Sequence, residues 1–275
     1  MKQNSSVIIK LLWLTFFALV GLFVCACIQA LLGDTTANLE ATRWMLLLQT
    51  VTTFAIPAIV FGSIYGQKVQ TVPCRDRCVW LLVVALMPCA LPAVNLTKWI
   101  NDMLVLPHFM SSIEQWMQHM ETATNELTMK LLTTDNFGGI AVNLLIMALA
   151  PAIAEELFFR GALQKTLAQS MNAHAAIWLT AVIFSAVHLQ FYGFVPRMLL
   201  GAALGYLFWL TGSIWTSVTA HFVNNALTIV LFNTALPFDI DSVGTGQTWW
   251  IGLLSLIVSF GIIWAVAHLA APKKK

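Results

Sequence analysis

Along this chain, uncharged apolar stretches recur between short polar segments, near 8–32, 44–66, 78–96, 137–158, 174–190, 194–211, 213–234 and 248–270. A helix needs about 20 apolar residues to cross a bilayer core. The pattern therefore predicts an all-α polytopic membrane protein, a bundle of about eight transmembrane helices forming one integral-membrane domain over 1–275. The fifth and sixth stretches are short and separated only by Phe191, Tyr192 and Gly193, which suggests a tight helical hairpin or a partly re-entrant pair. Pro57, Pro88, Pro92 and Pro151 fall within or near spans, where kinks are tolerated if neighbouring helices satisfy the freed backbone groups. The first stretch follows Lys2 and Lys10 in the manner of a signal peptide. Its uncharged run from Leu11 to Gly33 exceeds the usual apolar region of such peptides, so it is read as a span.

The longest polar segment, 98–136, is expected to be extracytoplasmic and amphipathic. Ile113, Trp116, Met117 and Met120 recur in it at helical spacing, as in a helix that lies on the membrane interface or caps the bundle. No chemistry is assigned to it.

Composition strengthens the membrane reading: 59% of residues are hydrophobic and 9% charged, against roughly 45–50% and 25% in soluble domains. The net charge of +2 gives no basis for binding nucleic acid. Lys2, Lys10, Lys68, Arg75, Arg77, Arg160, Lys165 and Lys273 to Lys275 fall on one side of the spans, and Arg43, Lys98, Lys130 and Arg197 on the other. The positive-inside rule then puts both termini in the cytoplasm. The five cysteines, Cys25, Cys27, Cys74, Cys78 and Cys89, have no zinc-site or disulfide spacing and are read as small apolar residues.

Against this background Pro151 to Gln164, "PAIAEELFFRGALQ", is costly, because an ionisable side chain at the centre of a span costs about 2.5–3.5 kcal/mol on translocon scales. Glu156 and Arg160 are i and i+4 in the favourable order for an ion pair. Glu155 projects about 100° away and is left for another partner. The simplest alternative is that all three mark the cytoplasmic end of the fourth span, with Arg160 snorkelling to the interface. Two further sites argue against it. His188 ends "FSAVH" near the end of the fifth span, with Phe184 one turn earlier. His221 and Asn225 stand four apart on the seventh span in "HFVNN", beside Asn224. A carboxylate, two imidazoles and an amide from three helices suit hydrolysis of an amide by activated water.

In order, these segments resemble the EExxxR, FxxxH and HxxxN motifs of the CPBP family, the CAAX proteases and bacteriocin-processing enzymes also called Abi, over about 137–235. The resemblance implies an intramembrane endopeptidase with an all-helical bundle. Glu155 would be the base that activates water, His188 would help bind that water, and His221 would complete the water or leaving-group site. Asn225 would form the oxyanion hole, while Glu156 and Arg160 would form a structural or gating ion pair. The family's older description as metalloproteases leaves a zinc site of Glu155, His188 and His221 open, but no HExxH motif occurs and a metal-free glutamic mechanism is favoured.

The implied partners are the lipid bilayer and a membrane-associated peptide or protein substrate, and the expected location is the inner membrane of a bacterium. Two other classes stay open. One is a proton-coupled transporter using the same carboxylates and histidines, although no internal repeat is evident. The other is a non-catalytic scaffold or bacteriocin-immunity protein.

Overall fold

Polar residues with short side chains start the helices of this protein and glycines stop several of them. The computed structural model describes residues 6–33, 35, 38–67, 74, 76–103, 106–134, 136–234 and 237–270. The side chain of Ser6 accepts the Ile9 N–H at the start of α1 (Val7–Leu32), and Asn38 does the same for Glu40 and Ala41 at α2 (Leu39–Tyr65). Asp76 caps α3 (Arg77–Asp102), Asn136 caps α5 (Phe137–Leu167) and Asn172 caps α6 (Ala173–Ala186). Gly66 at φ 67° and Gly212 at φ 65° take the left-handed conformation that ends α2 and α7 (Phe194–Thr211). The remaining helices are α4 (Ser111–Leu132), α8 (Ile214–Phe232) and α9 (Trp249–Ala270).

Seven of these helices are long and apolar enough to cross a membrane, and the described residues form no strand, so the protein is an all-α polytopic membrane protein. Burial runs inside out relative to a soluble bundle. Ile8, Leu12, Phe16 and Phe23 on α1, and Ile257, Phe260 and Trp264 on α9, are exposed, whereas Arg43, Asn143, Glu156, Arg160, Gln164 and His221 are buried. Lipid solvates the apolar surface, and the polar groups find partners only inside. All five cysteines are free. Of the residues used for orientation, Lys2, Lys68, Arg75 and Lys273 to Lys275 lie outside the described residues.

Two expected spans are revised. The fourth does not end near 158. It continues to Leu167 through two π-helical segments, Leu144–Leu149 and Leu157–Gln164, so Arg160 lies within the helix and is fully enclosed by protein, not snorkelling outward. The fifth, expected over 174–190, is the 14-residue helix α6. At 1.5 Å per residue it covers about 21 Å, too little to cross a hydrocarbon core of about 30 Å. It stops at Ala186, and Leu189 takes a left-handed φ of 54°, unusual for a residue with a β-carbon. His188 therefore sits in a turn and not on a helix.

The prolines of α3 are accommodated by α9. Within α3 the Ala93 N–H and the Cys89 carbonyl would pair, but the Ser255 hydroxyl of α9 stands between them. It accepts from Ala93 N at 3.1 Å and donates to Cys89 O at 2.5 Å. Gly252, one turn earlier on α9, allows this approach: a Cβ there would lie 2.6 Å from Leu96 Cβ and 3.0 Å from Pro92 O.

The polar segment forms α4 as expected, but its faces are turned. Met117, Met120 and Glu121 are half-buried, while Ile113 and Trp116 are exposed. The Trp116 ring packs on Phe191 at 5.4 Å, beside the turn that carries His188.

Candidate active site

A polar stripe on α8, made of Ser217, His221 and Asn225 at successive i, i+4 positions, faces the middle of α5. His221 Nδ1 is 2.9 Å from Glu156 Oε1, and its Nε2 is 3.9 Å from Glu155 Oε2. The ring thus stands between the two adjacent carboxylates. Glu156 carries three hydrogen bonds, since it also accepts from Arg160 Nη1 at 2.7 Å and from the Ser217 hydroxyl. Glu155 has no hydrogen bond among the described residues and keeps 8% exposure, whereas Glu156 and Arg160 have none. The reachable carboxylate is Glu155.

The ion pair expected of Glu156 and Arg160 is present, and its setting explains why charge is tolerated here. Arg160 Nη2 donates to the carbonyl of Gly201 on α7 at 2.7 Å, and Gln164 Nε2, one turn on, donates to the Gly205 carbonyl at 3.2 Å. Gly201 and Gly205 form a small-xxx-small pair, which lets two backbones approach closely in a membrane. A Cβ on Gly205 would lie 2.8 Å from Gln164 Oε1 and 2.9 Å from Ile177 Cγ2, and one on Gly201 would lie 3.1 Å from the Phe184 ring and 3.3 Å from Ala181 Cα. The π-helical turn at Leu157–Gln164 replaces the tighter α-helical spacing on the α5 face that carries Arg160 and Gln164.

Phe184 ties the histidines to this frame. Its ring meets Phe159 edge to face at 5.1 Å, His188 at 5.0 Å and His221 at 5.9 Å, and the Arg160 guanidinium carbon lies 5.1 Å from its centroid. His188 Nδ1 lies 2.7 Å from the Phe184 carbonyl. If Nδ1 carries the proton and donates it there, Nε2 is an acceptor. Among the described residues no His188 ring nitrogen comes within 4 Å of a Glu155 carboxylate oxygen. Asn225 Oδ1 accepts from Asn224 Nδ2 at 3.2 Å, which leaves its own amide N–H groups without a partner among the described residues.

The structure thus brings Glu155, Glu156, Arg160 and His221 into one contacting cluster, with His188 and Asn225 at its margin. Ser217, Gln164 and Arg197 were missed in the sequence. Ser217 was legible, because it stands four residues before His221 on the same face. Arg197 was counted only for orientation, yet it stands one turn before Gly201, whose carbonyl accepts from Arg160, and it bonds Gln190 next to the turn that carries His188. Among the described residues no three His, Cys, Asp or Glu side chains converge as metal ligands.

Comparison with known proteins bears on this same region. Residues 1–136 and 228–275 lie outside the family match, which covers residues 137–227 and is to the type II CAAX prenyl endopeptidase Rce1-like family. An 89-residue segment is 29% identical to the uncharacterized protein YpbD of Bacillus subtilis (strain 168), over 31% of this chain and 43% of that protein, so the match spans less than half of the relative's length. No solved structure matches the chain. The matched residues include Glu155, Glu156, Arg160, His188, His221 and Asn225, so the cluster lies in the segment that is similar to the Rce1-like, type II CAAX prenyl endopeptidase family, in keeping with the CPBP resemblance of its three motifs.

Proposed function

We propose that this protein is an intramembrane endopeptidase of the glutamic type, which cleaves a membrane-associated peptide or protein without a metal. The reading rests on one observation above all: His221 stands between Glu156, which accepts three hydrogen bonds, and Glu155, which has none among the described residues. The gap of 3.9 Å between His221 Nε2 and Glu155 Oε2 suits a water bonded to both at about 2.8 Å.

In this mechanism Glu155 Oε2 takes a proton from that water as its oxygen attacks the carbonyl carbon of the scissile amide. The carbonyl π electrons move to oxygen, and the Asn225 amide donates to the resulting oxyanion. Collapse reforms the carbonyl and breaks the C–N bond, and the proton held by Glu155 passes to the leaving amine. An acid and an amine result. His221 accepts from the water at Nε2 and so orients it, while its Nδ1–H donates to Glu156, which fixes the tautomer and the direction of the ring. His188 adds a second acceptor at the margin of the site.

The chain is read as one integral-membrane domain with its catalytic core at 137–235. Its basic residues favour cytoplasmic termini in a bacterial inner membrane, with 98–136 on the opposite face. The test is mass spectrometry of peptides released from membranes carrying wild type or Glu155→Ala at matched expression. Products present only with wild type are expected, and the same products from Glu155→Ala would overturn the reading.

A further inference from the structure

Arg197 begins the second turn of α7 and is half-buried beside the cluster. Its guanidinium is held firmly, but only by neutral groups: Nη1 donates to the Gln190 carbonyl at 3.2 Å and Nη2 to Gln190 Oε1 at 2.6 Å. Gly193 makes room for it, since a Cβ there would lie 3.1 Å from Nη2. Glu156 contacts Arg160 and Glu40 contacts Arg43, each at 2.7 Å. Among the described residues no carboxylate comes within 4 Å of Arg197.

Arg197 nevertheless stands one helical turn before Gly201, whose carbonyl accepts from Arg160, so its charge borders the cluster, and its field is expected to reach Glu155 and Glu121 of α4. Glu121 also fails to close on it, and its Oε2 is buried without a hydrogen-bond partner. A bridging cation between Glu155 and Glu121 would be the plainer role. Yet such a role is served by contact, and here a cation in low-dielectric surroundings is oriented by an amide where a glutamate at the same position would cancel it. An arginine whose remaining N–H groups are uncommitted matches the planar oxygen pair of a carboxylate.

We propose that Arg197, oriented by Gln190, binds a carboxylate of the peptide substrate close to the scissile bond, and so sets where along the peptide Glu155 delivers water. This rests on the endopeptidase reading. The carboxylate has two possible sources, the free C-terminus of the peptide or an acidic side chain.

Binding separates this proposal from catalysis. Purified full-length Glu155→Gln protein, which removes the base and keeps the shape, is titrated in detergent with three labelled pools of N-acetylated hexapeptides. The first has neutral side chains and a free carboxylate, the second is its C-terminal amide, and the third is the amide with one glutamate. At least tenfold tighter binding of the first pool than the second assigns the C-terminus, and of the third than the second assigns a side chain. Arg197→Gln and Gln190→Glu, each added to that protein, should abolish the preference, and Arg197→Lys should keep part of it. Gln190→Glu keeps the side-chain size and hydrogen-bond position, so it tests the charge even if Arg197→Gln fails to fold. Equal binding of the three pools, no binding of any pool, or a preference that survives Gln190→Glu would overturn the proposal. A preserved preference in a wild-type protein that cleaves nothing would support carboxylate binding while removing the endopeptidase reading.

Discussion

His221 separates two neighbouring glutamates by what each of its nitrogens meets: Nδ1 lies 2.9 Å from Glu156 and Nε2 lies 3.9 Å from Glu155. Adjacent residues of identical chemistry thereby acquire different consequences on mutation.

Glu155→Gln should lower turnover by about 10²-fold or more, the usual size of general-base catalysis, with little change in thermal stability. Glu156→Gln should do the reverse in emphasis, because it leaves Arg160 charged and buried without its partner, a loss of about 3–5 kcal/mol. Melting temperatures in detergent, read beside peptide cleavage, distinguish the two. A larger melting loss from Glu155→Gln would contradict the assignment.

Asn225→Ala should reduce kcat by about 10²- to 10³-fold while KM changes little, since an oxyanion donor acts in the transition state. Steady-state kinetics on one peptide suffice. An effect confined to KM would move Asn225 from the reacting carbonyl to substrate binding.

Ser217→Ala removes one donor to the Glu156 carboxylate and leaves the contacts of Arg160 and His221 in place. A net loss of about 1.5–3 kcal/mol in stability is expected, as for a hydrogen bond to a charged group. Cleavage should fall less than in Glu155→Gln.

Ser255→Ala should destabilise the α3–α9 pair by about 1–3 kcal/mol, because it leaves the Ala93 N–H and Cys89 carbonyl without the hydroxyl that links them. The cluster on α5 and α8 lies elsewhere, so kcat at temperatures below melting should be unchanged.

Chelation of purified protein should leave cleavage intact, since Glu155, His188 and His221 do not converge as ligands. Activity lost to a chelator and restored by zinc, with one zinc per chain by elemental analysis, would require the three side chains to regroup.

The sequence by itself determined that the chain is an all-α membrane protein and which short segments hold its chemistry. Both follow from local physics: apolar runs of bilayer length have no other stable state in lipid, and a charge in such a run must find a partner. Helical spacing alone was enough to pair Glu156 with Arg160, because four residues is one turn. Tertiary structure decided the rest. That Arg160 is enclosed by protein and does not snorkel depends on the close approach of Gly201 and Gly205 and on the π-helical turn, which no hydropathy count registers. That Glu156 also orients His221, that α6 stops short so His188 lies in a turn, and that Arg197 borders the cluster one turn before Gly201 all depend on tertiary packing. The span pattern reveals how deep a side chain lies, but the partner it meets there is set by which helices pack together and at what rotation.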